Sequence, residues 1–82
     1  LEIYLVSFDP NAALKSEPHY EGSQEFLTII KGAVSVAAGD NTAKLKKGDF
    51  IIYNCDIPHE IVNDSPQPAV VHMVVRYQDG HR

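Results

Sequence analysis

A chain of 82 residues with a formal net charge of −4, 44% hydrophobic residues and a single cysteine is sized for one domain and has no internal disulfide. No run of Lys or Arg exceeds the pair Lys46-Lys47, so these residues build no basic patch for a nucleic-acid backbone or an anionic bilayer, and no apolar stretch approaches the roughly 20 residues of a membrane span. The lone Cys55 and an opening stretch unlike a signal segment point to a reducing, cytoplasmic setting.

In chain order, the apolar runs are short, alternating or β-branched, and bounded by turn residues. Leu1 to Phe8 reads as a strand closed by Asp9-Pro10-Asn11. Asn11 to Lys15 is the best helical window, and with Pro18 following it amounts to one short turn at most. Glu25 to Ile30 is the next strand, ending at Lys31-Gly32. Ala33 to Ala38 follows, then Gly39-Asp40-Asn41, then Thr42 to Leu45 before Lys47-Gly48-Asp49. Phe50 to Tyr53, His59 to Val62 and Val70 to Tyr77 complete the series. About seven strands at spacings of about 8 to 12 residues predict an all-β sandwich or barrel. The last run, Val70 to Val75, is apolar on both parities, which predicts burial on both faces or a place at an interface. The chain opens inside a strand rather than on Met, so residues 1–82 read as one domain forming the C-terminal part of a longer protein.

Four residues carry candidate chemistry: His19, Glu21, Glu25 and His59. His19 and Glu21 share parity, which in an extended chain places them on one face; Gly22 interrupts the alternation before Glu25. Imidazole nitrogen with carboxylate oxygen suits a divalent transition metal, and two His with one carboxylate leave coordination positions open. By spacing alone, the alternative of a lone satisfied His and solvated strand-end carboxylates stands ahead. Gly32, Gly39 and Gly48 fall at strand ends, Asn63 reads as a turn cap, and Cys55 as a small buried hydrophobe.

These residues resemble the cupin family, whose two motifs are G-x5-H-x-H-x3-E-x6-G and G-x5-P-x-G-x2-H-x3-N. The first falls on His19, Glu21, Glu25 and Gly32, with Glu21 in place of the second His and Ala13 in place of the leading Gly. The second falls on Gly48, Asn54, Asp56, His59 and Asn63, with Asn54 and Asp56 in place of Pro and Gly. The resemblance implies a small jelly-roll barrel of about seven to eight antiparallel strands. It also implies a divalent metal, zinc foremost with iron, manganese and nickel as alternatives, held by His19, Glu25 and His59, with Glu21 a candidate fourth ligand. A degenerate cupin without metal is the contrary expectation.

Within the family, the chain is most similar to the C-terminal cupin domain of XRE-type helix-turn-helix bacterial regulators. That likeness implies a small-molecule effector, such as an amino acid or related carboxylate, bound beside Phe26, Ile51, Tyr53, His72 and Met73. It further implies a homodimer paired through the apolar first or last strand, and DNA contact only through an N-terminal domain absent here. The rival expectation is a small metalloenzyme of dioxygenase or isomerase type, with Glu21 or Tyr53 as acid or base.

Overall fold

The computed structural model describes residues 1–18 and 21–77. Among them are eight strands and no helix: β1 (Glu2–Phe8), β2 (Ala13–Ser16), β3 (Gln24–Lys31), β4 (Ala33–Ala38), β5 (Asn41–Lys46), β6 (Phe50–Asn54), β7 (His59–Val62) and β8 (Ala69–Arg76). They pair antiparallel in two four-stranded sheets, ordered β1-β8-β3-β6 and β2-β7-β4-β5. This is a jelly-roll architecture, as the resemblance implied. The strand bounds follow the apolar runs closely. The exception is β2, which replaces the short turn expected over Asn11 to Lys15. Ala13-Leu14-Lys15-Ser16 is largely exposed, so no alternation of burial marks it, and its strand character comes from pairing with β7.

The register makes rows of side chains across each sheet, alternately inward and outward. Inward rows of the first sheet are Tyr4-Met73-Leu27-Ile51 and Glu2-Val75-Glu25-Tyr53. Inward rows of the second are Leu14-Ile61-Val36-Ala43 and Ser16-His59-Ala38-Asn41. Leu27, Ile29, Val34, Ile61, Val71 and Val75 are fully enclosed between them. Each such side chain removed from water contributes about 1.5–3 kcal/mol, and this single layer is the core. Val70, His72 and Val74, on the outward side of β8, are only half-buried, so that strand is covered on one face rather than two.

Two devices hold the loops. Asn63 is fully buried. Its Nδ2 donates to the carbonyls of Phe8 (3.3 Å), Asp9 (3.2 Å) and Gln67 (2.7 Å), and its Oδ1 accepts from Ser65 N (3.1 Å) and Ser65 Oγ (2.7 Å). One side chain thereby ties the β1–β2 turn to the β7–β8 loop, the capping role expected for it. Gly32, at φ +76°, turns β3 into β4 where an added Cβ would lie 2.5 Å from the Pro68 carbonyl oxygen. Gly48, at φ +90°, has open space around the same position. Gly32→Ala is therefore expected to cost about 3 kcal/mol and Gly48→Ala about 1 kcal/mol, since both bear the left-handed penalty and only Gly32 the clash. Urea unfolding of the two variants checks the difference, and equal losses would contradict it.

Candidate functional site

Glu25 and His59 come from opposite sheets and meet in the interior. On β3, period-2 alternation sends Glu25 inward with Leu27 and Ile29; on β7, it sends His59 inward with Ile61. Glu25 is 2% and His59 4% exposed. A carboxylate so enclosed carries a desolvation cost of several kcal/mol unless its oxygens are compensated. The Tyr53 hydroxyl, from the ladder position paired with Glu25, donates to Oε1. Oε2 faces His59 Nε2 at 3.2 Å. The Tyr53 and His59 rings lie 6.1 Å apart between centroids, tilted by 56°.

The imidazole is oriented from behind. His59 Nδ1 lies 2.8 Å from the Ile57 carbonyl oxygen, which can only accept, so Nδ1 carries a proton and donates. Nε2 is then the atom presented to Glu25. Imidazole nitrogen and carboxylate oxygen facing each other are donors of the kinds that bind a divalent metal together. Donors sharing a transition metal at about 2.1 Å stand about 3.0–3.4 Å from one another, and the observed separation falls within that span. A backbone carbonyl behind the imidazole and a phenol behind the carboxylate are the outer partners that orient metal ligands. The donor types and spacing of these two residues fit a divalent metal.

His19, the third expected ligand, lies outside the described residues, as does His81. Among the described residues, no three His, Cys, Asp or Glu side chains gather in a metal-binding group. Glu21 is exposed in the turn before β3. Both ends of the segment between β2 and β3 are anchored beside the pair: Ser16 is opposite His59 in its ladder, and Gln24 immediately precedes Glu25. Asp56 was not singled out from sequence, yet its Oδ2 accepts from Gly22 N (2.8 Å) and fixes the turn entering β3. Cys55 N donates to the Ser23 carbonyl (3.0 Å), reinforcing the same junction. The signal available for Asp56 was its place in the second motif, where the family has Gly.

Of the residues expected around a ligand, Ile51, Tyr53 and Met73 share the inward face with Glu25. Ile51 and Tyr53 also line a cavity of about 320 Å3 between β6 and the β4–β5 hairpin, with Val36, Ala38, Ala43 and Ile57. Phe26 and His72 occupy the outward face of the first sheet, where they line a separate hollow with Phe50 and Val74. The reason is parity: Phe26 follows Glu25 directly and must point the opposite way.

Burial, and then the hydrogen bond to Glu25, hold the Tyr53 hydroxyl far above the ordinary phenol range, so it remains a donor. Burial first, with the Glu25 and Asp56 charges adding, pushes the Cys55 thiol up to about 12. The folded protein therefore disfavours the thiolate, and this contribution to stability is complete below the unfolded thiol pKa and declines as pH rises above it. At about pH 8, Cys55 is expected to react with an aromatic disulfide reagent only as fast as the domain opens, and fully once it is unfolded. Immediate labelling of the folded protein would contradict that environment.

Residues 4–75 match the family model of the cupin domain (Cupin_2). No curated protein matches the chain. Among solved structures, it is similar to the cupin domain of an XRE-family transcriptional regulator from Enterobacter cloacae, with TM-score 0.87 and 24% identity over 93% of this chain and 80% of that one. An HTH_3-family transcriptional regulator from Vibrio cholerae gives TM-score 0.87 and 24% identity, covering 93% of this chain and 42% of the regulator. A cupin-superfamily sugar phosphate isomerase from Silicibacter pomeroyi gives TM-score 0.74 and 25% identity, covering 93% of this chain and 50% of the enzyme. At 24% identity the two regulators establish shared fold.

Proposed function

The chain belongs to the cupin family, and from that premise we propose that it is the metal-dependent effector-sensing domain of a bacterial transcriptional regulator, with DNA contact left to an N-terminal domain. The observation that carries the metal is the Glu25–His59 contact, two donors facing each other inside the barrel with their outer atoms already committed. His59 Nε2, Glu25 Oε2 and His19 would hold the ion, with Glu21 a candidate fourth ligand. Such an ion, zinc before iron, manganese or nickel, would supply a Lewis-acidic position for a carboxylate or amine of the effector. Tyr53 keeps the Glu25 carboxylate turned toward His59, and the Ile57 carbonyl keeps the imidazole tautomer that presents Nε2. Ile51, Tyr53 and Met73 would wall the effector's side chain, and the neighbouring cavity is of the size small ligands occupy.

Similarity to the two regulators' folds supports the regulatory role, which works through pairing of copies: two linked DNA-binding domains read half-sites whose separation the paired barrels set. The effector must bind two arrangements of the pair unequally for any signal to pass. A small metalloenzyme is the second reading, favoured by one observation: the fold is similar to that of a sugar phosphate isomerase, with the Tyr53 hydroxyl orienting the same interior carboxylate. An upstream DNA-binding domain in the full gene product decides for the sensor; metal-dependent substrate turnover decides for the enzyme.

Zinc titration against a chromophoric chelator, with elemental analysis, tests the site. One ion per chain is expected. His59→Ala and Glu25→Gln should remove it while strand content by circular dichroism persists. Tyr53→Phe should weaken it about tenfold by freeing the carboxylate to turn. Glu21→Gln weakens binding sharply only if Glu21 coordinates. Unchanged metal content in His59→Ala would overturn the assignment.

A further inference from the structure

β5 and β6 are each the last strand of their own sheet, and they do not pair with one another. The turn joining them is tight: Asp49 N donates to the Lys46 carbonyl (2.8 Å) and Lys46 N to Asp49 Oδ2 (2.9 Å). The cavity of about 320 Å3 beside Tyr53 lies toward the other ends of the two strands, against Asn41 to Ala43 on β5 and Ile51 to Asn54 on β6, so the gap is a wedge closed at the turn. Ladder phase decides which backbone groups face it. In an antiparallel ladder, alternate residues turn N–H and C=O toward the neighbouring strand and the others turn away. Cys55 N donates to the Ser23 carbonyl (3.0 Å) and Ile29 N to the Asp49 carbonyl (3.0 Å), in register with the β3–β6 pairing. Ile51 and Tyr53 therefore turn their backbone groups to β3, while Ile52 and Asn54 turn theirs to the free edge. On β5, the link Gly39-Asp40, with Gly39 at φ +59°, makes Ala38 and Asn41 the bonded closing pair, so Thr42 turns away from β4.

We propose that this wedge is a binding site for a small uncharged molecule that carries a secondary amide and a short aliphatic group. Three observations define that chemistry. First, backbone donors and acceptors reach the cavity from both sides, at Thr42 on one and at Ile52 and Asn54 on the other. An occupant that satisfies both edges offers a donor and an acceptor on opposed sides, as an amide does. Second, the rest of the wall is apolar, from Val36, Ala38, Ala43, Ile51 and Ile57, and the two alanines leave space that a larger side chain would fill. Third, among the described residues no charged side chain lines the cavity, and Asn41, Thr42 and Asn54 supply neutral polar groups. An ionised ligand group would be desolvated there without a counter-charge. The closed end at the Lys46–Asp49 turn limits the occupant to the size of a single blocked amino acid rather than an extended peptide. Neither Glu25 nor His59 lines the wedge, so its occupancy needs no metal and adds a site to the effector position proposed at the ion.

Backbone-amide NMR spectra of the isotope-labelled protein, titrated with N-acetyl-L-leucine N-methylamide, test the site. Chelator-treated protein is used, so that the result is read apart from the metal assignment. Saturable binding with a dissociation constant on the order of 1 mM is expected for a ligand of this size, with the largest shifts at Thr42, Ile52 and Asn54. The free acid, N-acetyl-L-leucine, should bind about tenfold more weakly or worse, because its carboxylate meets no cation in the wedge. Ala43→Leu, which fills the cavity, should weaken the amide by about tenfold or more. Should that variant fail to fold, the comparison of amide with acid on the unaltered chain carries the same test. No saturation by about 20 mM, shifts centred away from the wedge, equal affinity for the acid, or unchanged affinity in a folded Ala43→Leu variant would overturn the site. Tighter binding of a blocked hexapeptide than of the single blocked residue would overturn the small-molecule occupant.

Discussion

A carboxylate and an imidazole nitrogen 3.2 Å apart in a closed interior constrain everything around them. Either group would be at lower free energy in water, and together they are tolerated only if each remaining polar atom has a defined partner. The fold supplies those partners from two segments, Tyr53 on β6 for Glu25 Oε1 and the Ile57 carbonyl for His59 Nδ1, and leaves Oε2 and Nε2 facing each other. The ladder pairing of Glu25 with Tyr53, and the proximity of Ile57 to β7, are therefore conditions for burying the pair at all. The loop contacts serve the same end. Asp56 and Cys55 fasten residues 22–23, so that β3 enters the sheet with Glu25 inward rather than slipped by one residue.

Much of the architecture was legible in the sequence because turn residues punctuate every strand, and seven of the eight strands follow the apolar runs almost to the residue. β2 was not legible. Ala13 to Ser16 is a short edge strand with little burial, and only its partner β7 makes it extended. The pairing of Glu25 with His59 was legible through motif spacing. The dependence of Glu25 on Tyr53 was not, because it comes from the β3–β6 register, and register is fixed by contacts far apart along the chain.

The direction of the apolar side chains was the harder problem. On β8 the sequence Val70-Val71-His72-Met73-Val74-Val75 is apolar on nearly every position, so periodicity could not separate the face toward Glu25 from the face toward solvent. Phe26 and His72 fall on the outward side for this reason, while Met73 falls inward. The same ambiguity contained information. A sequence apolar on both parities was expected to be covered on both faces or to lie at an interface; within one chain only the inward face is covered, and the outward face is left as two cross-strand apolar rows.

The site and that surface occupy opposite sides of one sheet, a single residue apart. Glu25 faces inward and Phe26 outward on β3; Tyr53 faces inward and Ile52 outward on β6. Phe26 and Ile52 are themselves ladder partners, directly beside the pairing of Glu25 with Tyr53. Any adjustment of the β3–β6 pairing that shifts Glu25 against Tyr53 also moves Phe26 and Ile52 relative to one another. The sheet that holds the carboxylate thus ties the barrel interior directly to its own outer face.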